Sequence, residues 1–405
     1  MVRALSIFAV TYLLMSRPHW PVVHLDRPAA GLIGAVLMVA AGVLTPEQAY
    51  RAIDWGTLVL LLGMFLLAGC LRLAGFFDWA AETTLRHVRT PTTLLGALVL
   101  VSGVLSALLV NDTVCVMLAP LVIALIERSA LPIRPYLFAL AAGTNIGGVM
   151  TVVGNPQNMI IAHAAPVPYV SFARALVLVG LVSLGLAVGL LRWCFRSQLA
   201  TGTISIRVSS PAHVDGRLLA RTLACVALVI VGFIAGLDLA WTALAGAVIA
   251  VVISGRAPRQ VFAQVDGPLL LFFAALFVIV GGLEAAQILA LARGLIQPLI
   301  DAPGALGAFH LSWISTVASN VVSNVPWVLV AIRWIGLDEA GLRPWLLLAL
   351  TSTFAGNLTL FGSVANVIVF ETAHERIGFW EFLRIGAPLT LVTTAVGVAL
   401  LLCLT

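Results

Sequence analysis

The sequence contains no lysine; all 22 of its basic residues are arginines. Charge of either sign is scarce, since 22 basic and 17 acidic residues make up 10% of the 405 positions. Water-soluble domains carry roughly a quarter charged residues, which excludes an ordinary soluble fold. There is no polybasic run and no interleaving of aromatic and basic residues, so the pI of about 9.3 does not signal a nucleic-acid surface. The five cysteines, Cys70, Cys115, Cys194, Cys225 and Cys403, form no CxxC pair and no disulfide framework. They read as small buried hydrophobes. Histidines at 19, 24, 87, 163, 213, 310 and 374 lack ligand spacing, and Thr372-Ala-His-Glu-Arg376 lacks the second histidine of a zinc-protease motif. No Walker-type loop and no nucleophile–base constellation is present, so neither ATP drive nor an enzyme is indicated.

Apolar residues are abundant instead, at 61% of the chain with a mean hydropathy of +1.10. A spanning helix needs about 20 of them, and candidate segments fall at 4–16, 29–44, 57–75, 92–110, 113–127, 136–162 and 170–191, then at 218–236, 240–254, 267–283, 309–322, 325–336, 345–370 and 382–404. The first of these is not read as a signal peptide, because Arg17-Pro-His-Trp-Pro21 follows it rather than a small-residue cleavage site. Segments 113–127, 309–322 and 325–336 are short for a crossing and suggest re-entrant hairpins.

Four motifs recur in order on either side of one long polar stretch. Asp54-Trp-Gly56 answers Asp266-Gly-Pro268, and Ser106 with Asn111 answers Ser319 with Asn324. Arg134-Pro-Tyr-Leu137 answers Arg343-Pro-Trp-Leu346. Gly148, Thr151, Gly154 and Asn158 answer Gly356, Thr359, Gly362 and Asn366 at identical spacing. Such a duplication is the organisation of secondary transporters. The expected fold is an all-α polytopic membrane protein of two inverted repeats, each with about five transmembrane helices, a re-entrant hairpin and a broken helix. The first repeat spans 1–195, with hairpin 92–127 and broken helix 136–162. The second spans 218–405, with hairpin 309–336 and broken helix 345–370, and a cytoplasmic linker at 196–217 joins them. With the linker inside, Arg17, Arg27, Arg86, Arg89, Arg128, Arg134, Arg256, Arg259, Arg376 and Arg384 also fall inside, leaving Arg3, Arg51, Arg174, Arg293, Arg333 and Arg343 outside. Both termini then lie outside.

The polar motifs within apolar segments are the candidate site. Broken backbone at membrane depth is tolerated only where protein buries it or where it lines a wet cavity. The hairpin tips, Ser106, Asn111, Asp112 and Thr113 in one half and Ser319, Asn320, Ser323 and Asn324 in the other, supply N-cap residues. A helix N-terminus there offers amides and a positive dipole end to an anion. The breaks supply carbonyl and side-chain oxygens suited to a hard cation such as Na⁺, from Asn145, Thr151, Gly154, Asn155 and Asn158, and from Asn357, Thr359, Gly362, Ser363 and Asn366. Any one of these residues can instead cap a helix or bond a neighbouring one. Asp112, an ionisable group within the membrane, marks an ion pathway or proton relay. Gly185-Leu-Ala-Val-Gly189 and Gly232-Phe-Ile-Ala-Gly236 read as close helix packing.

At these residues the chain resembles the ion transporter superfamily, which includes divalent anion:sodium symporters, citrate transporters, arsenite/antimonite permeases and one class of sodium/proton antiporter. The symporters' Ser-Asn-Thr hairpin signature is here Val110-Asn111-Asp112-Thr113 and Ser323-Asn324-Val325. The stretch Ser106–Pro120 looks most like bacterial anion permeases of this group. The resemblance implies a homodimer formed by a scaffold domain, an elevator-like transport domain, and location in the inner membrane. It implies a small anionic substrate, an inorganic oxyanion or a di- or tricarboxylate, with no cofactor beyond a coupling Na⁺ or H⁺. The alternative is arsenite/antimonite efflux or sodium/proton antiport centred on Asp112.

Overall fold

The computed structural model describes residues 1–16, 26–165, 167–199, 214–302, 304–335 and 341–405. Positions 200–213 of the expected linker and the last residue of hairpin 309–336 lie outside them. The described residues are helical, without strands, as hydrocarbon demands of a chain that must satisfy its own backbone. Among the described residues, seven helices are long and apolar enough to cross a membrane.

The first half runs through α1 (Val2–Ser16), α2 (Arg27–Ala40), α3 (Pro46–Ala52), α4 (Trp55–Leu73) and α5 (Phe76–His87). It continues through α6 (Pro91–Leu108), α7 (Asn111–Arg128), α8 (Arg134–Gly148), α9 (Pro156–Ala164) and α10 (Tyr169–Cys194). The second half begins with α11 (Gly216–Ile234), α12 (Leu239–Ile253), α13 (Pro258–Phe262), α14 (Gly267–Ala285) and α15 (Ile288–Ile300). It ends with α16 (Ala305–Val322), α17 (Asn324–Ala331), α18 (Arg343–Ala355), α19 (Val364–Thr372) and α20 (Phe379–Leu404).

The ten elements of one half match the ten of the other in order, down to local detail. Asp54 and Asp266 each cap a 19-residue helix by accepting from the backbone N–H three residues on. Gly75 and Gln287 start α5 and α15 in the left-handed region, at φ 79° and 60°. These two amphipathic helices escape a search for long apolar runs, because α5 carries Asp78, Glu82, Arg86 and His87 within 12 residues.

The halves exchange partners. α4 packs on α12 while α14 packs on α2, and α7 packs on α19 while α17 packs on α9. A methyl group added at Gly63 would meet Ala243, and one at Gly31 would meet Ala275, which is the same contact seen from each half. Arg134, at the start of α8, pairs with Glu375 at 2.6 Å and with Glu381 in the first turn of α20. Its counterpart Arg343 donates to Thr405 Oγ1, beyond the last turn of α20, at 3.3 Å. Equivalent residues thus sit at opposite ends of one 26-residue helix.

Two expectations of close packing differ. Gly232 does face Thr242, but Gly236 ends its helix at φ 78°, and Gly185 and Gly189 have nothing within 4 Å of an added Cβ. The tight small-residue contact lies elsewhere, where Gly143 and Gly147 of α8 press on α6 at Val99 and Gly103.

Candidate functional site

Both broken helices open in the same way. After Gly148 and after Ala355 the chain turns through extended Thr151 or Thr359, a single 3₁₀ turn, and extended Asn155 or Ser363, before α9 or α19 begins. The freed carbonyls are then stapled. Asn158 Nδ2 donates to Gly148 O (3.0 Å) and Thr151 O (2.9 Å), and Asn366 Nδ2 donates to Gly356 O (2.6 Å) and Thr359 O (3.0 Å). These amide nitrogens hold the break in shape, leaving the Oδ1 atoms to face outward from it. Gly154 is obligatory, since any Cβ there would run into the Gly148 carbonyl.

Asn145 ties the two halves together. It is 1% exposed, and its Nδ2 donates to Asn357 Oδ1 at 3.1 Å and Asn366 Oδ1 at 3.0 Å. Its Oδ1 accepts from Ser363 Oγ at 3.0 Å and from Asn111 Nδ2 at 3.4 Å. Thr353 stands at the equivalent place in the other half, and its Oγ1 accepts from Asn155 Nδ2 at 3.1 Å. Each break is therefore anchored by the opposite half. Sequence reasoning missed Thr353, although its distance of 208 residues from Asn145 is the spacing of the paired breaks.

The hairpin tips meet these breaks. Ser106 Oγ donates to Thr144 O at 2.6 Å, and Thr151 Oγ1 donates to Ala107 O. Asn320 braces the second break, donating to Thr316 O and Ala355 O, both at 2.9 Å, and accepting from Thr359 Oγ1 at 2.8 Å. The expected capping role of the tip side chains is not what the structure has. Val110 and Ser323 occupy the N-cap positions, neither with a side-chain cap bond, and Asn111 and Asn324 are the first helical residues. Their amides point across the tip to the breaks instead. With its amide oriented to suit its surroundings, Asn324 donates to Ser352 O at 3.1 Å and Gly362 O at 2.7 Å. Ser323 sits at φ 71°, a strained place for a side chain, and Thr113 is half-buried one turn into α7.

Four buried polar atoms of this cluster have no partner: Asn111 Oδ1, Asn158 Oδ1, Asn357 Nδ2 and Ser319 Oγ. They comprise acceptors, a donor and a hydroxyl. Among described residues no group of three His, Cys, Asp or Glu could hold a metal ion. Asp112, 5% exposed, follows Asn111 and lies within electrostatic reach of Arg27 and Asp266. Val325 takes its place in the other tip, so the charge is peculiar to one half. Arg27, read from sequence as a loop charge, lines a cleft of about 1180 Å³ and lies over the Phe361 ring at 6.0 Å.

The sequence profile of the citrate transporter family, CitMHS, matches residues 10–355. The silicon efflux transporter LSI3 of Oryza sativa subsp. japonica is 30% identical, over 97% of this chain and 96% of that one. The inner membrane protein YbiR of Escherichia coli is 31% identical, over 89% of this chain and 91% of its own length. In fold, the chain is similar to the YdaH transporter of Alcanivorax borkumensis, with a TM-score of 0.55 at 15% identity over 99% and 96% of the two chains. The family profile, LSI3 and YdaH are all named as transporters, and the chain, a multi-pass membrane transporter and not an enzyme, belongs to the citrate transporter (CitMHS) family.

Proposed function

We propose that this chain is an ion-coupled secondary transporter that moves a small anion, an inorganic oxyanion or a di- or tricarboxylate, across the inner membrane by alternating access. The observation that carries the reading is the set of unpaired buried atoms at the junction of tips and breaks. Buried polar groups are nearly always bonded, so orphaned acceptors and donors grouped at one place suit an oxygen-rich solute that completes them. Asn111, Thr113, Ser323 and Asn324 would hold this solute between the N-termini of α7 and α17, whose dipoles favour negative charge. Oxygens of Asn145, Asn155, Asn158, Asn357, Ser363 and Asn366 would serve a coupling Na⁺.

The opposed placement of Arg134 and Arg343 along α20 supports inverted repeats, and the excess of arginine on the linker's side supports a cytoplasmic linker. Homodimerisation is part of the same reading, and the exposed Gly185–Gly189 stripe offers no intrachain partner for it to displace. One relative is named for silicon efflux, so silicate and related oxyacids belong in the substrate panel.

A second reading, efflux or sodium/proton antiport centred on Asp112, is favoured by one observation. The cluster of amides and hydroxyls has the Asp112 carboxylate beside it and, among the described residues, no arginine bonded within it, Arg27 reaching Asp112 only electrostatically.

Counterflow in proteoliposomes separates the two. With a panel of oxyanions, oxyacids and carboxylates, tested with and without Na⁺ and pH gradients, at least one solute should exchange. Asn111→Ala with Asn324→Ala should abolish that exchange, and full activity in the double variant would remove the site assignment. Ligands of the native state should also raise the melting temperature of the purified protein.

A further inference from the structure

The molecule has two clefts that occupy equivalent places in its two halves. The larger, about 1180 Å³, is lined by Asp266, Pro268 and Glu371, and the smaller, about 420 Å³, by Asp54, Gly56 and His163. Asp54 and Asp266 hold the same capping position, while His163 and Glu371 hold the same position in two nine-residue helices, α9 and α19. The larger cleft touches α14 from its Asp266 cap to Phe272 and the smaller touches it from Phe277 to Gly281, so they open toward opposite ends of that helix. The arginines agree. Arg27 and Arg376 line the larger cleft and Arg51 and Arg333 the smaller, the sets that the charge pattern assigns to opposite sides of the membrane.

Burial differs sharply between them. Phe361, at the second break, is 40% exposed, and its counterpart Val153 is 2% exposed. Leu360, Val364 and Ile368 line the larger cleft half-buried, whereas Val152, Pro156 and Ile160 are buried. α9 is shut against α4, and α19 stands away from α14.

The charges at the two mouths follow this difference. His163 Nε2 lies 3.3 Å from Asp54 Oδ1, and the imidazole covers Gly56, where any Cβ would collide with it. Thr57 fixes the same carboxylate, donating from its N–H at 3.1 Å and its Oγ1 at 2.6 Å. The other charges at this mouth are already paired, Arg51 with Glu47 at 2.6 Å and Arg333 with Glu284 at 3.4 Å. At the larger mouth the equivalent positions are both carboxylates. Asp26, His374 and Arg376 complete its charged lining, Glu375 is taken by Arg134, and Arg27 is within electrostatic reach of Glu371 and Asp112.

We propose that these pairs are a latch and a prop: Asp54 with His163 holds one face of the carrier shut, and Asp266 facing Glu371 holds the opposite face open. Closing the larger cleft as the smaller one is closed would bring two carboxylates to the separation now spanned by Asp54 and His163. Like charges there repel unless one takes up a proton or a cation enters between them. Closure of that face therefore waits on neutralisation, by a proton, an entering cation or the Arg27 guanidinium of the same lining, while at the other face an imidazole ring nitrogen already meets the carboxylate. The inference rests on the alternating-access reading, since it needs two faces that open in turn.

The test reads accessibility and needs no substrate. Full-length protein in lipid nanodiscs, with Cys194 and Cys403 replaced by alanine, carries Phe361→Cys or Val153→Cys as reporter, labelled by a water-soluble maleimide at fixed pH. In the parent, Phe361→Cys should label and Val153→Cys should not. Glu371→Gln should slow labelling at Phe361→Cys several-fold. The exchange of His163→Glu with Glu371→His should invert the pattern, protecting the first reporter and exposing the second. Faster labelling at both marks an unfolded exchange variant, and Glu371→Gln alone then decides. Unchanged Phe361→Cys labelling in Glu371→Gln overturns the proposal. Solute exchange is scored separately on the same proteins, so an inverted pattern in a protein that carries no solute keeps the latch and removes the transport reading.

Discussion

Asn145 and Asn366 come from opposite halves of the chain and are joined by a hydrogen bond from Nδ2 of the first to Oδ1 of the second, at 3.0 Å. The nitrogen of that same Asn366 spans the two carbonyls freed at its own break. A single amide thus completes local backbone on one side and a contact between halves on the other. Asn145 also takes Ser363 and Asn111 on its oxygen, so one side chain sets the distance from the first tip to the second break.

Replacing Asn145 should be felt in stability and in transport together. Asn145→Ala leaves Asn357 Oδ1, Asn366 Oδ1 and Asn111 Nδ2 in search of partners, at about 1–3 kcal/mol per buried orphan. Asn145→Asp keeps the volume but turns two donated bonds into contacts between oxygens, and it should do no better. A double-mutant cycle of Asn145→Ala with Ser363→Ala in thermal unfolding should show a coupling of at least about 0.5 kcal/mol, the range for residues in direct contact. Additive effects would place the two side chains apart.

The staples make a second, narrower prediction. Asn158→Ala and Asn366→Ala each remove a donor from two carbonyls. Gly356 O is left with none, while Gly148 O keeps Asn155 Nδ2 and Thr151 O and Thr359 O keep the N–H of Gly154 and Gly362. A polar group left unbonded in an apolar interior is costly. Both should lower the apparent Tm by several degrees. Asn366→Ala should lower it more, because Asn366 also receives Asn145, while Asn158 Oδ1 is unpartnered. Equal shifts would argue that the Asn145 bond contributes nothing to the folded state.

Much of this was legible in the sequence. Gly148, Gly154 and Asn158 stand out because hydrocarbon tolerates neither glycine breaks nor spare amides without reason, and Gly356, Gly362 and Asn366 repeat them at the same spacing. The all-helical, multi-pass character followed from apolar length. α5 and α15 did not: α5 carries too much charge for that filter, and α15, apolar but 13 residues long with Arg293 and Pro298 inside it, is too short for it. The tips were read as caps because Asn and Asp favour that place. In the fold the extended residue is one earlier, since a pairing with Asn145 at |i−j| = 34 outweighs a local preference. His163 looked idle for the same reason, as its partner Asp54 is more than a hundred residues away.

Glycine substitutions should separate close packing from mere composition. In Gly147→Ala the new methyl meets the Gly103 backbone, which cannot move aside as a flexible side chain can. Overpacking of this kind costs roughly 1–3 kcal/mol. Gly185→Ala and Gly189→Ala add a methyl in open space and improve helix propensity by up to about 1 kcal/mol. In monodisperse detergent preparations, Gly147→Ala should lose yield and melting temperature while the other two hold or gain. A loss at Gly185 or Gly189 would show that a second copy packs against that stripe.

Asp112 separates coupling from binding. An Asp in the first turn is favoured by the helix dipole by about 0.3–1 kcal/mol at exposed sites, but here the group is buried at a tip where the other half has Val325. Stability alone does not require it, since α17 starts without it. Asp112→Asn keeps volume and polarity, so the melting temperature and its rise with a bound solute should be preserved. On the reading centred on Asp112, the response of flux to an imposed pH or Na⁺ gradient in proteoliposomes should disappear, because the amide can neither give up a proton nor balance a cation. Val325→Asp, which places a second carboxylate at the equivalent position, should impair solute binding instead by adding negative charge to the N-terminus of α17. Retention of full gradient dependence in Asp112→Asn would remove that second reading and leave coupling with the oxygens of the breaks, where Asn155→Ala and Asn158→Ala are the variants to measure next.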